Sequence, residues 1–203
     1  VACERSKAPR GVFKPRQSSP QNRVSSSGWV KQDGYWYYYS DNGNPVTNSW
    51  KGDYYLKSDG TMAQSEWIYD SYYKGWYYLK SDGSYARNTW IGSYYLKANG
   101  KMAQSEWIYD SSYQAWYYLK SDGSYAQNAW QGTFYLKANG KMAQGEWIYD
   151  SSYQSWYYLK LDGSYARNTW QGNYYLKSDG KMAKNERVDG GRYYVDGSGL
   201  WKP

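Results

Sequence analysis

The chain has 203 residues, enough for one ordinary globular domain, yet 22% of it is aromatic, with 29 Tyr and 13 Trp against 2 Phe, and its mean hydropathy is −1.04. So polar a composition ordinarily marks disorder, but Tyr and Trp each bury a large apolar ring while an O–H or N–H still reaches water or a backbone partner, so thin, half-wet contacts replace one deep core. The formal charge is +7, with no His and a single Cys, which excludes an internal disulfide and removes the commonest general base and metal ligand.

Residues 1–27 are rich in Ser, Pro, Arg and Gln and hold Arg5, Lys7, Arg10, Lys14, Arg16 and Arg23 against Glu4 alone. They carry +5 of the +7 and are expected to be a disordered basic leader or linker. Cys3 is a stray thiol of that tail. The remaining +2 does not make a nucleic-acid groove, so no nucleic-acid partner is expected. No stretch reaches the roughly 18 apolar residues of a membrane-spanning helix. No signal-peptide core is visible either, so any signal peptide is expected to have been removed before this sequence begins.

From residue 28 the chain is a repeat. WIYD recurs at Trp67, Trp107 and Trp147, a period of 40 residues. Long units (28–49, 67–89, 107–129, 147–169) alternate with short ones (50–66, 90–106, 130–146, 170–186), and a degenerate capping unit, 187–203, has lost the leading Trp. Each unit reads as a leading Trp, a turn, an aromatic pair followed by Leu-Lys, an Asp-Gly or Asn-Gly turn, and a short polar link. The WYYLK segments are β-prone and bounded by Gly-containing turns, and the segment opening each unit supplies a partner strand. One hairpin is marginal in water, whereas stacked hairpins bury each other's faces. The predicted fold is therefore all-β, an elongated solenoid of stacked β-hairpins.

Side chains alternate along a strand, so Trp76 and Tyr78 point one way and Tyr77 the other. Two rings of one hairpin then meet one ring of the next, making a three-walled aromatic box. Such a box attracts a cation that donates no hydrogen bonds, and a quaternary ammonium fits. Three contacts of about 0.5–2 kcal/mol each give about 2–6 kcal/mol gross, a site on the order of millimolar. Repeated sites on a polymeric ligand gain avidity.

The run GWVKQDGYWYYYSDNG at 28–43, repeated as a Trp nine residues before WYYLKSDG, resembles the choline-binding repeats of pneumococcal and related streptococcal surface proteins over residues 28–203. The resemblance implies a left-handed superhelix of hairpins. It also implies sites for choline or phosphocholine of teichoic and lipoteichoic acid, and non-covalent, extracellular attachment to a Gram-positive cell surface. In that family a site takes the leading Trp and first triplet ring of one unit and the middle ring of the next. Carried over, the choline-binding residues are Trp29, Trp36 and Tyr54; Trp67, Trp76 and Tyr94; Trp107, Trp116 and Phe134; and Trp147, Trp156 and Tyr174. Phe134 departs mildly, being a weaker partner for a cation. Short units carry Asp53, Ser93, Thr133 and Asn173 where the first triplet ring belongs. Junctions led by Trp50, Trp90, Trp130 and Trp170 are therefore expected to lack a wall unless Tyr73, Tyr113 or Tyr153 substitutes. Met62, Met102, Met142 and Met182 are expected to fill space beside the boxes.

The alternative for every ring is plain stacking between hairpins. Glu66, Glu106, Glu146 and Glu186 recur once per period and read as solvated or inter-unit partners, since a catalytic carboxylate pair needs one unique arrangement. Neither catalysis, a cofactor nor a metal site is expected. Two other functions fit the same architecture: a glucan-binding repeat module, and a surface adhesin binding a host protein.

Overall fold

The structure, a computed structural model, describes residues 27–203. Cys3 and all but the last residue of the predicted leader lie outside the described residues. Two compact units divide the chain at Met62 and Ala63. Among the described residues every regular element is a strand, as the sequence predicts.

In the first unit β1 (Gly28–Gln32) pairs antiparallel with β2 (Tyr35–Tyr39), and β3 (Ser49–Lys51) with β4 (Tyr54–Leu56). Asp33 and Gly34 join β1 to β2, both at positive φ (51° and 86°). That is the twist-matched two-residue loop which Asp-Gly favours.

In the second unit six pairs alternate in length. Five-residue strands pair as β5 (Glu66–Asp70) with β6 (Gly75–Leu79), β9 (Glu106–Asp110) with β10 (Ala115–Leu119), and β13 (Glu146–Asp150) with β14 (Ser155–Leu159). Three-residue strands pair as β7 (Thr89–Ile91) with β8 (Tyr94–Leu96), β11 (Ala129–Gln131) with β12 (Phe134–Leu136), and β15 (Thr169–Gln171) with β16 (Tyr174–Leu176). A last three-stranded sheet orders β17 (Glu186–Val188), β18 (Tyr193–Val195) and β19 (Trp201–Lys202).

From β5 to β16 the Asp-Gly and Asn-Gly pairs do not close the hairpins. They lie after the second strand and fold the predicted polar link back onto it. Gly83 N–H donates to the Lys80 carbonyl at 2.9 Å, and the Asp82 carboxylate accepts from Ser84 N–H at 2.9 Å. Leu79 then bridges Tyr85, as Leu96 bridges Met102. The residue after this return turn ties consecutive repeats together. Met102 N–H donates to the Trp76 carbonyl at 2.8 Å, Tyr125 N–H to Ser93 at 3.1 Å, Met142 to Trp116 at 2.8 Å, Tyr165 to Thr133 at 3.0 Å, and Trp201 to Asn173 at 3.0 Å. Stacking thus proceeds repeat by repeat.

The core is less wet than the composition predicts. Leu79, Leu96, Leu119, Leu136, Leu159 and Leu176, each ending a second strand, are completely buried. Fully burying such a side chain stabilises by about 1.5–3 kcal/mol. Between these leucines the aromatic layers form the junctions.

Candidate ligand cages at the hairpin junctions

Register places the leading Trp and the first triplet ring on one face. In β5–β6 Trp67 lies opposite Tyr78, Tyr69 opposite Trp76, and Ile68 opposite Tyr77. Trp67, Tyr69, Trp76 and Tyr78 therefore share a face, and Tyr77 looks the other way.

The next hairpin meets that face with its middle ring. Trp67 and Tyr94 stand edge to face with centroids 5.5 Å apart and planes at 74°. Trp107 and Phe134 repeat this at 5.5 Å and 77°, and Trp147 and Tyr174 at 5.5 Å and 74°. In the first unit Trp29 and Tyr54 make the same corner at 5.2 Å and 77°. A fourth ring buttresses each: Tyr38, Tyr78, Tyr118 and Tyr158 lie 5.3–5.4 Å from the leading Trp.

The third expected wall stands apart. Trp76, Trp116 and Trp156 make ring contact with Tyr69, Tyr109 and Tyr149 at 5.3–5.4 Å, not with their trio partners. Trp36, Trp76, Trp116 and Trp156 are 36–40% exposed, whereas a ring used for packing, such as Tyr117, is 5% exposed. Each of the three later trios is thus one closed corner plus one exposed indole, whereas in the first Trp29 is exposed as well as Trp36. The methionines fall where the sequence places them: Met102 packs with Trp67, Tyr78 and Tyr94, and Met182 with Trp147, Tyr158 and Tyr174. Gly123 (φ 87°) makes room, since a Cβ there would meet Met102 Cε at 2.5 Å and Tyr94 Cδ1 at 3.2 Å.

The first trio differs in charge. Lys31 takes the place that Tyr69 holds in the next long unit, with Nζ 5.8 Å from the Trp36 ring centroid, and Lys51 Nζ lies 4.5 Å over Tyr38. The protein's own ammonium groups flank this corner.

The junctions led by Trp90 and Trp130 are not missing a ring as expected. The replacement comes from the return turn of the following unit. Trp90 meets Tyr117 at 4.9 Å and Tyr125 at 5.9 Å; Trp130 meets Tyr157 at 4.9 Å and Tyr165 at 5.9 Å. Where the preceding unit offers Trp at the first triplet position the return-turn residue is Met, and where it offers Ser or Thr that residue is Tyr. The 40-residue alternation of Met102, Tyr125, Met142 and Tyr165 was the available signal. Of the expected substitutes, Tyr113 and Tyr153 reach 6.4 Å from Tyr117 and Tyr157, and Tyr153 lines a cavity of about 410 Å³ with Trp130, Tyr165, Asp179 and Lys181.

Two more features escaped the sequence. The Trp90 and Trp130 indole N–H groups donate to the buried carboxylates of Asp110 and Asp150, each at 2.7 Å. The same aspartates accept from the turn N–H groups of Ser112 and Tyr113, and of Ser152 and Tyr153. Moreover, Lys141 Nζ and Lys181 Nζ lie 5.5 and 5.4 Å over the rings of Tyr113 and Tyr153. The recurrent glutamates are partners between strands, Glu106 to Lys97 at 3.3 Å and Glu146 to Lys137 at 3.1 Å. Burial, reinforced by Asp110 and Asp150, raises the phenol pKa values of Tyr117 and Tyr157, the latter to about 12.

Serial hairpins with recurrent aromatic corners define a class of aromatic-rich β-hairpin repeat module. The chain belongs to the choline-binding repeat family. The family profile described as a choline-binding repeat matches residues 44–85, 84–125 and 164–201, and one described as a putative cell wall binding repeat matches 27–44. The choline-binding domain of CbpL from Streptococcus pneumoniae is 76% identical over 88% of this chain and 98% of that one, with a TM-score of 0.83. Choline binding protein F of S. pneumoniae is 32% identical, with 88% of this chain and 58% of that one covered and a TM-score of 0.54. CbpJ of the same species is also 32% identical, at 87% and 58% coverage and a TM-score of 0.53. The comparison with curated proteins returns no match.

Proposed function

We propose that this chain is a non-catalytic cell-wall-binding module. It holds choline of teichoic and lipoteichoic acid in the four cages Trp29–Trp36–Tyr54, Trp67–Trp76–Tyr94, Trp107–Trp116–Phe134 and Trp147–Trp156–Tyr174, and so anchors itself non-covalently to the outer surface of a Gram-positive cell. The observation that carries this reading is the recurrence, in register, of a perpendicular two-ring corner faced by an exposed indole. A stacking surface has no need to leave a Trp about 40% exposed in every long unit. A trimethylammonium group spreads its charge over methyls and loses little on leaving water, which suits such a box. The kinship with a domain described as choline-binding supports the same ligand.

The test is a calorimetric titration with choline, run beside glycerol and dextran. Saturable binding of choline in the millimolar range, weakened roughly 2- to 30-fold at four sites when Trp36, Trp76, Trp116 and Trp156 are all changed to Ala, is the expected result. Heat from dextran alone would make this a glucan binder, and no heat from either would leave the rings as packing.

A further inference from the structure

The last junction of the chain does not behave like the two internal junctions led by short units. Trp170 leads it, and sequence leaves it with Asn173 in place of a first triplet ring. The structure brings in Trp201 from β19. Its N–H donates to the Asn173 carbonyl at 3.0 Å, the same link that places Tyr125 and Tyr165, so its indole enters as they do. Tyr193 stands 5.6 Å from Trp170 at 88° and 6.2 Å from Trp201 at 78°. Three successive near-perpendicular rings therefore wall a cavity of about 300 Å³ whose remaining lining is Gly172, Asn173 and Asp189.

Three differences turn this junction from packing towards binding. First, its rings are open: Tyr193 is 38% exposed where its equivalents Tyr117 and Tyr157 are each 5% exposed, and Trp201 is 40% exposed where its equivalents Tyr125 and Tyr165 are half-buried. Those values match the exposed indoles of the long-unit cages. Second, the aspartate that fixes Trp90 and Trp130 lies 20 residues after each, and 20 residues after Trp170 stands Gly190. Third, the internal junctions hold their own ammonium over a tyrosine ring, Lys141 over Tyr113 and Lys181 over Tyr153, and the cavity beside Trp130 pairs Asp179 with Lys181, whereas the terminal lining has Asp189 and no basic residue. Electron-rich faces with an anion beside them and no resident cation select a cation, and rings with few donors select one that needs no hydrogen bonds.

We infer that Trp170, Tyr193 and Trp201, with Asp189 at the rim, form a fifth quaternary-ammonium site of different composition from the other four. It rests on the choline reading of the long-unit cages. Choline is the probe. Wild-type protein is expected to show five saturable sites and Trp201→Leu four, Leu being chosen to keep apolar contact while removing the π face. Circular dichroism and the melting profile check that the hairpins persist. The Trp36→Ala, Trp76→Ala, Trp116→Ala, Trp156→Ala quadruple variant is expected to retain one site of undiminished affinity, which adding Trp201→Leu removes. Wild-type binding whose stoichiometry Trp201→Leu leaves unchanged would overturn the fifth site while sparing the four cages. A loss of self-association in sedimentation, with no loss of choline stoichiometry, would also overturn it and make these rings an interface between copies. No choline binding by the wild type at all would sink both readings.

Discussion

Trp76 and Trp90 are both conspicuous in the sequence, and the structure gives them opposite work. Trp76 is 40% exposed and its ring meets that of Tyr69 at a tilt of 59°, 5.4 Å away. Trp90 is gripped by Tyr95, Tyr117 and Tyr125, and its indole N–H is held by Asp110. Trp76→Ala removes one wall, worth about 0.5–2 kcal/mol of cation–π attraction, so that site weakens by roughly 2- to 30-fold and stability changes little. Trp90→Ala empties a packed aromatic layer at a cost of about 3 kcal/mol or more and leaves Asp110 short of a donor, roughly 1 kcal/mol further. The unfolding midpoint should fall by on the order of 10 °C, while choline stoichiometry measured well below that midpoint is retained. Calorimetric titration and thermal melting of both variants separate the two effects. Equal losses of binding, or a Trp76→Ala protein that melts early and binds as before, would refute this division of junctions.

Lys51→Gln copies the residue found at Gln131 and Gln171 and removes an ammonium lying over Tyr38. It should tighten the first cage by about fivefold, from on the order of 1 kcal/mol of relieved repulsion, read by titration at low salt. Asp110→Ala takes away one indole bond and two turn bonds and should destabilise by about 3 kcal/mol, measured by urea unfolding, with Asp110→Asn recovering part of it. Choline affinity should be flat from pH 5 to 8, because the ligand charge is permanent and the chain has no His; a step in that range would count against the cages. At alkaline pH the sign reverses into instability: the buried Tyr117 and Tyr157 phenols have pKa values raised above 10, the latter to about 12, so the unfolded chain releases protons first. Stability should hold below pH 10 and fall between pH 10 and about 12, followed by unfolding against pH.

Much of this was legible because period and alternation are local properties. A 40-residue repeat, Gly-bearing turns and aromatic runs define hairpins without reference to anything distant, and the two-fold alternation in Trp76, Tyr77 and Tyr78 assigns faces before any contact is known. The corners Trp67–Tyr94, Trp107–Phe134 and Trp147–Tyr174 pair rings that the resemblance to choline-binding repeats implies, and alternation alone says only that two rings of one hairpin meet one of the next. What escaped depends on the return turn. Reading the segment after Asp82-Gly83 as a polar link hid that it folds back and delivers Tyr85, Tyr125 and Tyr165 to a defined place. Residues 20 apart, such as Trp90 and Asp110, meet only once the stacking geometry is known, and no local pattern encodes that meeting.

The ring at each junction belongs to a conserved sum rather than to a fixed position. Trp76 is followed by Met102, Ser93 by Tyr125, Trp116 by Met142, Thr133 by Tyr165, and Asn173 by Trp201, and in every pair the second residue's N–H is bonded to the first residue's carbonyl. One large ring and one smaller side chain share each bonded pair, and only the side that supplies the ring changes. When the ring comes from the long hairpin, it stands at the open edge and stays exposed. When it comes from a tyrosine of the following return turn, it lies over the leading Trp and closes the layer. Two kinds of junction thus arise from a single backbone geometry, and alternation lets stiff layers separate open ones so that filling one cage need not disturb the next. The terminal pair breaks the rule in one respect, because its return-turn ring is a Trp at 40% exposure. Placing Tyr at 201 therefore isolates ring size from ring position: if position alone closes a layer, Trp201→Tyr should bury the ring and lose the fifth site, whereas retention of that site would show that the missing aspartate tie and resident lysine are what keep the terminal layer open.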